Sequence, residues 1–209
     1  MGAGEDPAQL KEGCMQEQSK ALLRRKKDWR FENRWFCGRG IDVGGGDDVL
    51  KKDDWRNVTE IILYDTIYGN TDGQFLPEIK DGEFDFLHSS HCLEHLQSTR
   101  AALVNWLRVI KPGGFIVCTI PEEFYYEFGR WPSRHNADHK VSFTLRSMPI
   151  IPGSINLMNF LWRVSADVEH LTLLTEGWDP AKAGQDQTMM GAECSIEFIV
   201  RKPHSTRPW

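Results

Sequence analysis

The feature that most limits what this chain can become is a short apolar strand, Gly40-Ile41-Asp42-Val43, running directly into Gly44, Gly45 and Gly46. Glycine at such a turn lets the backbone approach whatever lies above the strand, because a Cβ would block it and a left-handed φ costs glycine little. Three more apolar runs follow. Ile61-Ile62-Leu63-Tyr64 ends at Asp65, Phe84-Asp85-Phe86-Leu87 leads into His88-Ser89-Ser90, and Phe115 to Ile120 is the fourth. Before the fourth, Ser98-Thr99 opens a helix whose Leu103, Trp106, Leu107 and Ile110 share one face, and Lys111-Pro112-Gly113-Gly114 breaks it. Strands separated by crossovers pair in parallel, and their ligands sit beyond the strands' carboxyl ends. The pattern predicts an α/β fold.

The two ends of the chain read differently. Met15, Leu22, Trp29 and Phe36 recur every seven residues and predict an N-terminal helical extension over residues 1–37, stopping near Cys37-Gly38. Its basic residues, Arg24, Arg25, Lys26, Lys27, Arg30 and Arg34, read as a solvated face or as a contact surface for an acidic partner or a phosphate. Residues 38–209 then form the main domain, with the irregular, aromatic-containing stretch 121–165 as a lid over an acceptor. Ile155 to Val164 predicts a return to helix. His170 to Thr175 and Ser195 to Val200 are expected as an antiparallel pair closing one edge of the sheet.

Composition narrows the function. A chain of 209 residues holds one such core. A net charge of −5 does not call for nucleic acid, and no apolar run reaches the length of a membrane span. Five cysteines, an odd number with no C-x-x-C pair, point to a reducing compartment, and the first residues lack the order of a secretory signal. A cytoplasmic location is the expectation.

The glycine turn lacks the G-x-G-x-x-G fingerprint, and Asp47 and Asp48 beside it would repel a pyrophosphate. The ligand should therefore be cationic or neutral near the turn. Asp65, ending the next strand, is placed to accept both hydroxyls of a ribose, and Asp72 to accept from an adenine amino group. Each acid taken singly also reads as a turn former.

Together, IDVGGGDDV, LYDTIYGNTDGQFLP, DGEFDFLHSSHCLEHL and RVIKPGGFIVCTIPEE resemble, in order and spacing, the signatures of class I S-adenosylmethionine-dependent methyltransferases over residues 38–125. The resemblance implies a Rossmann-like, mostly parallel seven-stranded sheet with an antiparallel C-terminal strand pair, and S-adenosyl-L-methionine as cofactor. It implies Gly44 and Gly46 facing the methionyl moiety and Asp42 anchoring its ammonium. Asp65 would hold the ribose, Asp72 and Gly73 the adenine, and His88 with Ser89 the cofactor's other side. Asp48 stands where the family's longer glycine motif has a third glycine, so the course of the loop stays open.

Two histidine clusters carry the chemistry. His91-Cys92-Leu93-Glu94-His95 spells H-x-x-E-H, a zinc-protease pattern, but it follows a buried strand in a methyltransferase context. Glu94 and His95 read either as braces at a helix start or as metal ligands. The segment is similar to the E-x-x-E-H stretch of class I O-methyltransferases that bind a divalent ion. That similarity implies Glu94, His95 and His91 as ligands, with His135 or His139 completing the set and softer metals favoured over magnesium.

The second cluster, His135 to Thr144, resembles the N-x-D-H-K-x-x-F-T segment of small methyltransferases found with polysaccharide assembly genes. The implied acceptor is a sugar hydroxyl of a glycan or an activated sugar, rhamnose among them. The small size resembles enzymes with which large algal viruses finish capsid glycans. An activated methyl group mainly needs alignment, whereas a sugar hydroxyl needs a base. His139 or His91 is expected in that role with Asp138 or a nearby acid orienting the ring; a capping loop is the structural alternative. Tyr125, Tyr126, Trp131 and Trp162 read as core or as a sugar platform. An RNA 2′-O-methyltransferase and a catalytically silent subunit of this fold remain alternatives, and a homodimer is the oligomer considered.

Overall fold

The computed structural model describes residues 17–204 apart from Thr71 and Ser165. Met15, the first member of the seven-residue recurrence, and Cys14 lie outside the described residues. Helix α1 (Glu17–Arg25) precedes β1 (Gly38–Val43), β2 (Val58–Tyr64), β3 (Phe84–Ser90), α2 (Thr99–Val109) and β4 (Ile110–Pro121). A small parallel pair, β5 (Phe143–Thr144) and β6 (Ile155–Asn156), leads to α3 (Leu157–Arg163), β7 (Asp167–Leu174) and β8 (Ser195–Arg201). The main sheet runs β2-β1-β3-β4-β8-β7. Its first four strands are parallel, and β8 lies antiparallel to both β4 and β7.

This is the expected Rossmann-like α/β sheet with six main-sheet strands among the described residues, where seven were expected. Between β2 and β3, Asp72 accepts from the amides of Gln74 (2.7 Å) and Phe75 (3.1 Å). A carboxylate holding successive amides bends the chain into a turn, which leaves them unavailable to a strand ladder.

Helix α2 forms as its pattern predicts. The Ser98 hydroxyl accepts from Ala101 N at 3.2 Å, and Leu103, Trp106 and Val109 are fully buried. Lys111 to Gly114 do not separate helix from strand. β4 starts at Ile110 opposite Phe84, and the register resumes at Phe115 opposite Phe86, so these residues bulge from within the strand. Ile155 and Asn156 enter β6, and α3 starts only at Leu157, capped by Asn156.

Successive strand residues feed opposite faces. On one face Ile41, Ile116, Ile120 and Phe198 pack with Leu103 and Trp106 of α2 and with Leu157 and Leu161 of α3. On the other, Phe86, Val117 and Ile199 meet Phe31, Trp35, Phe36 and Trp55. The N-terminal segment is thus a covering layer of the sheet.

The single N-terminal helix expected from the sequence is interrupted. α1 ends at Arg25, Asp28 accepts from Arg30 N at 3.0 Å, and a five-residue π-helix follows over Phe31–Trp35. Trp29 is 69% exposed while Phe36 is fully buried, so the recurrence does not mark one face. Only part of the basic stretch is a solvated face: Lys26, Lys27 and Arg34 are exposed, whereas Arg24 and Arg25 turn inward. Arg25 is fully buried, with Nε 2.7 Å from Glu197 Oε2, Nη1 2.8 Å from Gln18 Oε1 and Nη2 3.0 Å from Thr119 Oγ1. Arg24 also binds Glu197, and Arg34 binds Glu169. Among the described residues no helix is long and apolar enough to cross a membrane.

Candidate active site

The site forms where β1, β2 and β3 end. Gly44 has φ +74°, and a Cβ there would lie 2.3 Å from Cys92 Sγ. Only glycine fits both the turn and the close approach. Gly46, at φ +54°, faces open space and donates its N–H to Asp65 Oδ2 at 3.1 Å. The amide and hydroxyl of Ser19 in α1 both donate to Asp48, which settles the course of the loop where the third glycine is missing.

A cleft of about 430 Å³ opens beside this turn, lined by Gly44, Asp65, Asn70, Asp72, Gly73 and His95 among others. A second cavity of about 240 Å³ lies on the other side of Gly44, lined by Glu17, Gln18, Gly44–Asp48, Ser90 and His91. The structure therefore gathers five of the expected cofactor residues, Gly44, Gly46, Asp65, Asp72 and Gly73, around two adjoining hollows. Asp65 accepts from Gly46 N on Oδ2 and from Ile67 N and the Thr66 hydroxyl on Oδ1, which leaves Oδ2 a lone pair for a ribose hydroxyl.

Three expected contacts lie elsewhere. Asp42, His88 and Ser89 are at most 1% exposed. Asp42 Oδ1 is 2.6 Å from His88 Nδ1, and its Oδ2 accepts from Leu50 N at 2.7 Å. His88 Nε2 is 3.0 Å from Arg25 Nη1. Arginine only donates, so Nε2 accepts and the proton sits on Nδ1, pointing at Asp42. The Ser89 hydroxyl donates to Val43 O at 2.9 Å. These groups brace the floor beneath the turn, and Ser90, His91 and Cys92 line the hollows in their place.

Beside the cleft stands a cluster assembled from distant parts of the chain. Glu94 is fully buried with neither carboxylate oxygen hydrogen-bonded, and burial pushes its carboxyl up to about 8. Its Oε1 is 3.7 Å from His91 Nδ1, 3.7 Å from His95 Nε2 and 3.9 Å from His139 Nε2. His139 Nδ1 is 2.7 Å from Glu127 Oε1, and His95 Nδ1 is 2.9 Å from Asp138 Oδ2. Of the acids expected to orient His139, Asp138 orients His95 instead, and Glu127 takes the role. Glu127, which orients His139, was missed by sequence reasoning; its signal was a lone acid within Phe124-Tyr125-Tyr126-Glu127-Phe128, where burial demands a partner. The Tyr126 ring stacks on His139 at 5.4 Å between centroids.

Ligand atoms of Glu94, His95 and His139 lie within 4.8 Å of one another, a spacing that a single metal ion can bridge. His91 departs from the expected ligand set. Its Nε2 is 3.0 Å from Ser195 Oγ, and burial holds the ring down at about 3, too weak a base to take a proton from a hydroxyl. Of the flanking aromatics, Trp162 is 72% and Trp131 37% exposed, so neither is core.

A family model described as a methyltransferase domain matches residues 9–149, more than half of the chain. The chain belongs to this methyltransferase family. Solved structures share the fold at low identity. A SAM-dependent methyltransferase from Archaeoglobus fulgidus is 16% identical with a TM-score of 0.56, over 94% of this chain and 100% of that one. One from Mesorhizobium loti is 14% identical with a TM-score of 0.57, over 91% and 99%. Phosphoethanolamine N-methyltransferase 2 of Haemonchus contortus, in complex with phosphomonomethylethanolamine and S-adenosylhomocysteine, is 14% identical with a TM-score of 0.58, over 88% and 52%. No curated protein matches the sequence of this methyltransferase.

Proposed function

We propose that this methyltransferase moves the methyl group of S-adenosylmethionine to a sugar hydroxyl, in a glycan or on a nucleotide- or carrier-linked sugar. The donor is the one its fold serves, and the residues fit it. A glycine turn that a Cβ would close, an acid at the end of β2 and two joined hollows suit a cationic nucleoside with an amino-acid tail. The reading of the acceptor rests on the buried cluster of Glu94, His95 and His139. A sulfonium methyl needs only in-line alignment, so a proton-handling cluster beside the cleft is of use chiefly to an acceptor that must lose a proton first. The likeness of residues 135–144 to a segment of polysaccharide-associated methyltransferases supports a sugar as that acceptor.

The cluster also fits a divalent ion. Glu94 is a buried, unpartnered carboxylate, and two imidazoles aim Nε2 at it while Glu127 and Asp138 keep their Nδ1 protons in place. His139 is then a ligand rather than the free base expected from the sequence. Nitrogen donors suit zinc, manganese or iron better than magnesium. An ion bound here would lower the acceptor hydroxyl's pKa towards neutrality. RNA is disfavoured as acceptor, because Arg24, Arg25, Arg30 and Arg34 are tied to Glu197, Asp28 and Glu169 and form no free basic groove.

The test offers methyl-labelled S-adenosylmethionine with free and nucleotide-linked sugars, phenols, amines and RNA, with and without chelator. Label should enter sugar hydroxyls, stop with chelator, and fall at least a hundredfold with His139→Ala. Label entering only RNA or amines, or full turnover by His139→Ala, overturns the reading.

A further inference from the structure

The expected anchor for the cofactor's ammonium, Asp42, is buried below the turn, 1% exposed, with one oxygen on His88 and the other on Leu50 N. A cationic tail lying over Gly44–Gly46 must find its carboxylate elsewhere. Helix α1 supplies one from outside the segment that carries the methyltransferase signatures. Glu17 lines the 240 Å³ cavity together with the glycine turn, and its side chain keeps 23% of its surface open.

The surroundings suit a cation. Glu17 Oε1 accepts from Lys20 Nζ, whose other hydrogens go to the carbonyls of Thr188 (3.3 Å) and Ala192 (3.1 Å). All three donors of Lys20 are thus in use. Glu17 Oε2 makes no hydrogen bond among the described residues; His91 Nε2 stands 3.6 Å from it, beyond hydrogen-bond reach. Asp47 and Asp48 line the same cavity, so its field favours a positive guest. A separate sign of a polar guest is the Ser90 hydroxyl, which lines this cavity and is buried without a partner.

Direction follows from the other hollow. With the ribose at Asp65, the nucleoside fills the 430 Å³ cleft, and the amino-acid tail passes Gly44 into the smaller cavity. We propose that α1 completes the cofactor site and that the Glu17 carboxylate binds the ammonium of the methionyl tail. The proposal rests on S-adenosylmethionine being the donor. It also gives α1 a double hold on the ligand, since Ser19 fixes the glycine loop through Asp48 two residues away.

Calorimetry with two probes tests it. S-adenosylhomocysteine carries the ammonium; 5′-methylthioadenosine has the same nucleoside and sulfur without it. Glu17→Gln should weaken S-adenosylhomocysteine at least tenfold and leave methylthioadenosine within twofold, and Glu17→Asp should recover part of the loss. Unchanged methylthioadenosine binding shows that the variant is folded and its nucleoside cleft intact. Equal losses for both probes, or none for either, overturn the role of Glu17 while the donor stands. If the unaltered protein binds neither probe, the donor itself is wrong and the proposal falls with it.

Discussion

Two buried charge clusters lie within this domain, and they are built on opposite terms. Around Arg25, every charge has its answer. Glu197 holds both Arg24 and Arg25, while Gln18, Thr119 and His88 take three more guanidinium hydrogens of Arg25 and Asp42 steadies His88. Around Glu94 the acid has no hydrogen-bonding partner, although three imidazoles stand within 4 Å. A buried network that is fully satisfied locks a structure, whereas one left open costs stability and is kept for what it can bind. The contrast suits the first cluster to folding and the second to the chemistry proposed for it.

The sharpest way to break this contrast is Arg25→Ala. It removes one of the two arginines that hold Glu197, leaves Gln18, Thr119 and His88 without their shared donor and empties the layer between α1 and the sheet, so a loss of about 3–5 kcal/mol is expected in urea unfolding. A loss below about 1 kcal/mol would place this cluster with the other. Acid gives the next largest effect. Burial alone would raise the Glu197 carboxyl, but the charges and hydrogen bonds of Arg25 and Arg24 outweigh it and hold the group at about 2, against an ordinary 4.5. A carboxyl depressed on folding stabilises fully above the unfolded value and loses that contribution as pH falls towards the folded one. Up to about 3 kcal/mol should therefore disappear between pH 5 and 2, and Glu197→Gln should flatten this part of the stability profile. The smallest effect on stability belongs to Glu94→Gln. Exchanging an unpartnered acid for a neutral amide of the same shape should shift unfolding by no more than about 1 kcal/mol, while zinc or manganese binding is lost. Destabilisation on the scale of Arg25→Ala would make Glu94 structural.

Much of the fold was legible because it depends on local pattern. The four parallel strands, α2 with its Ser98 cap, and the glycine turn with Asp65 all follow from period, punctuation and a strand-end acid. What was not legible depends on pairing across the sheet. Nothing near Arg25 in the sequence announces Glu197, so a run of basic residues read as a solvated face. His88 and Asp42 were assigned to the cofactor by motif position, but β1 and β3 set them opposite each other, and Arg25 closes over them. The Glu94 cluster was half visible: Glu94 and His95 belong to one motif, whereas His139 joins them only because the backbone amide of Lys140 bonds Glu94 O at 2.8 Å and draws that loop alongside.

The ion pair between Arg25 and Glu197 spans 172 positions. A ribosome therefore delivers the arginine long before the acid that neutralises it. Until the last strand emerges, Phe31, Trp35 and Trp55 have an unfinished surface to settle on, and the growing polypeptide displays them to whatever is nearby. The domain can close only once β8 has emerged, which makes nascent chains cut short before residue 197 the form most in need of a chaperone.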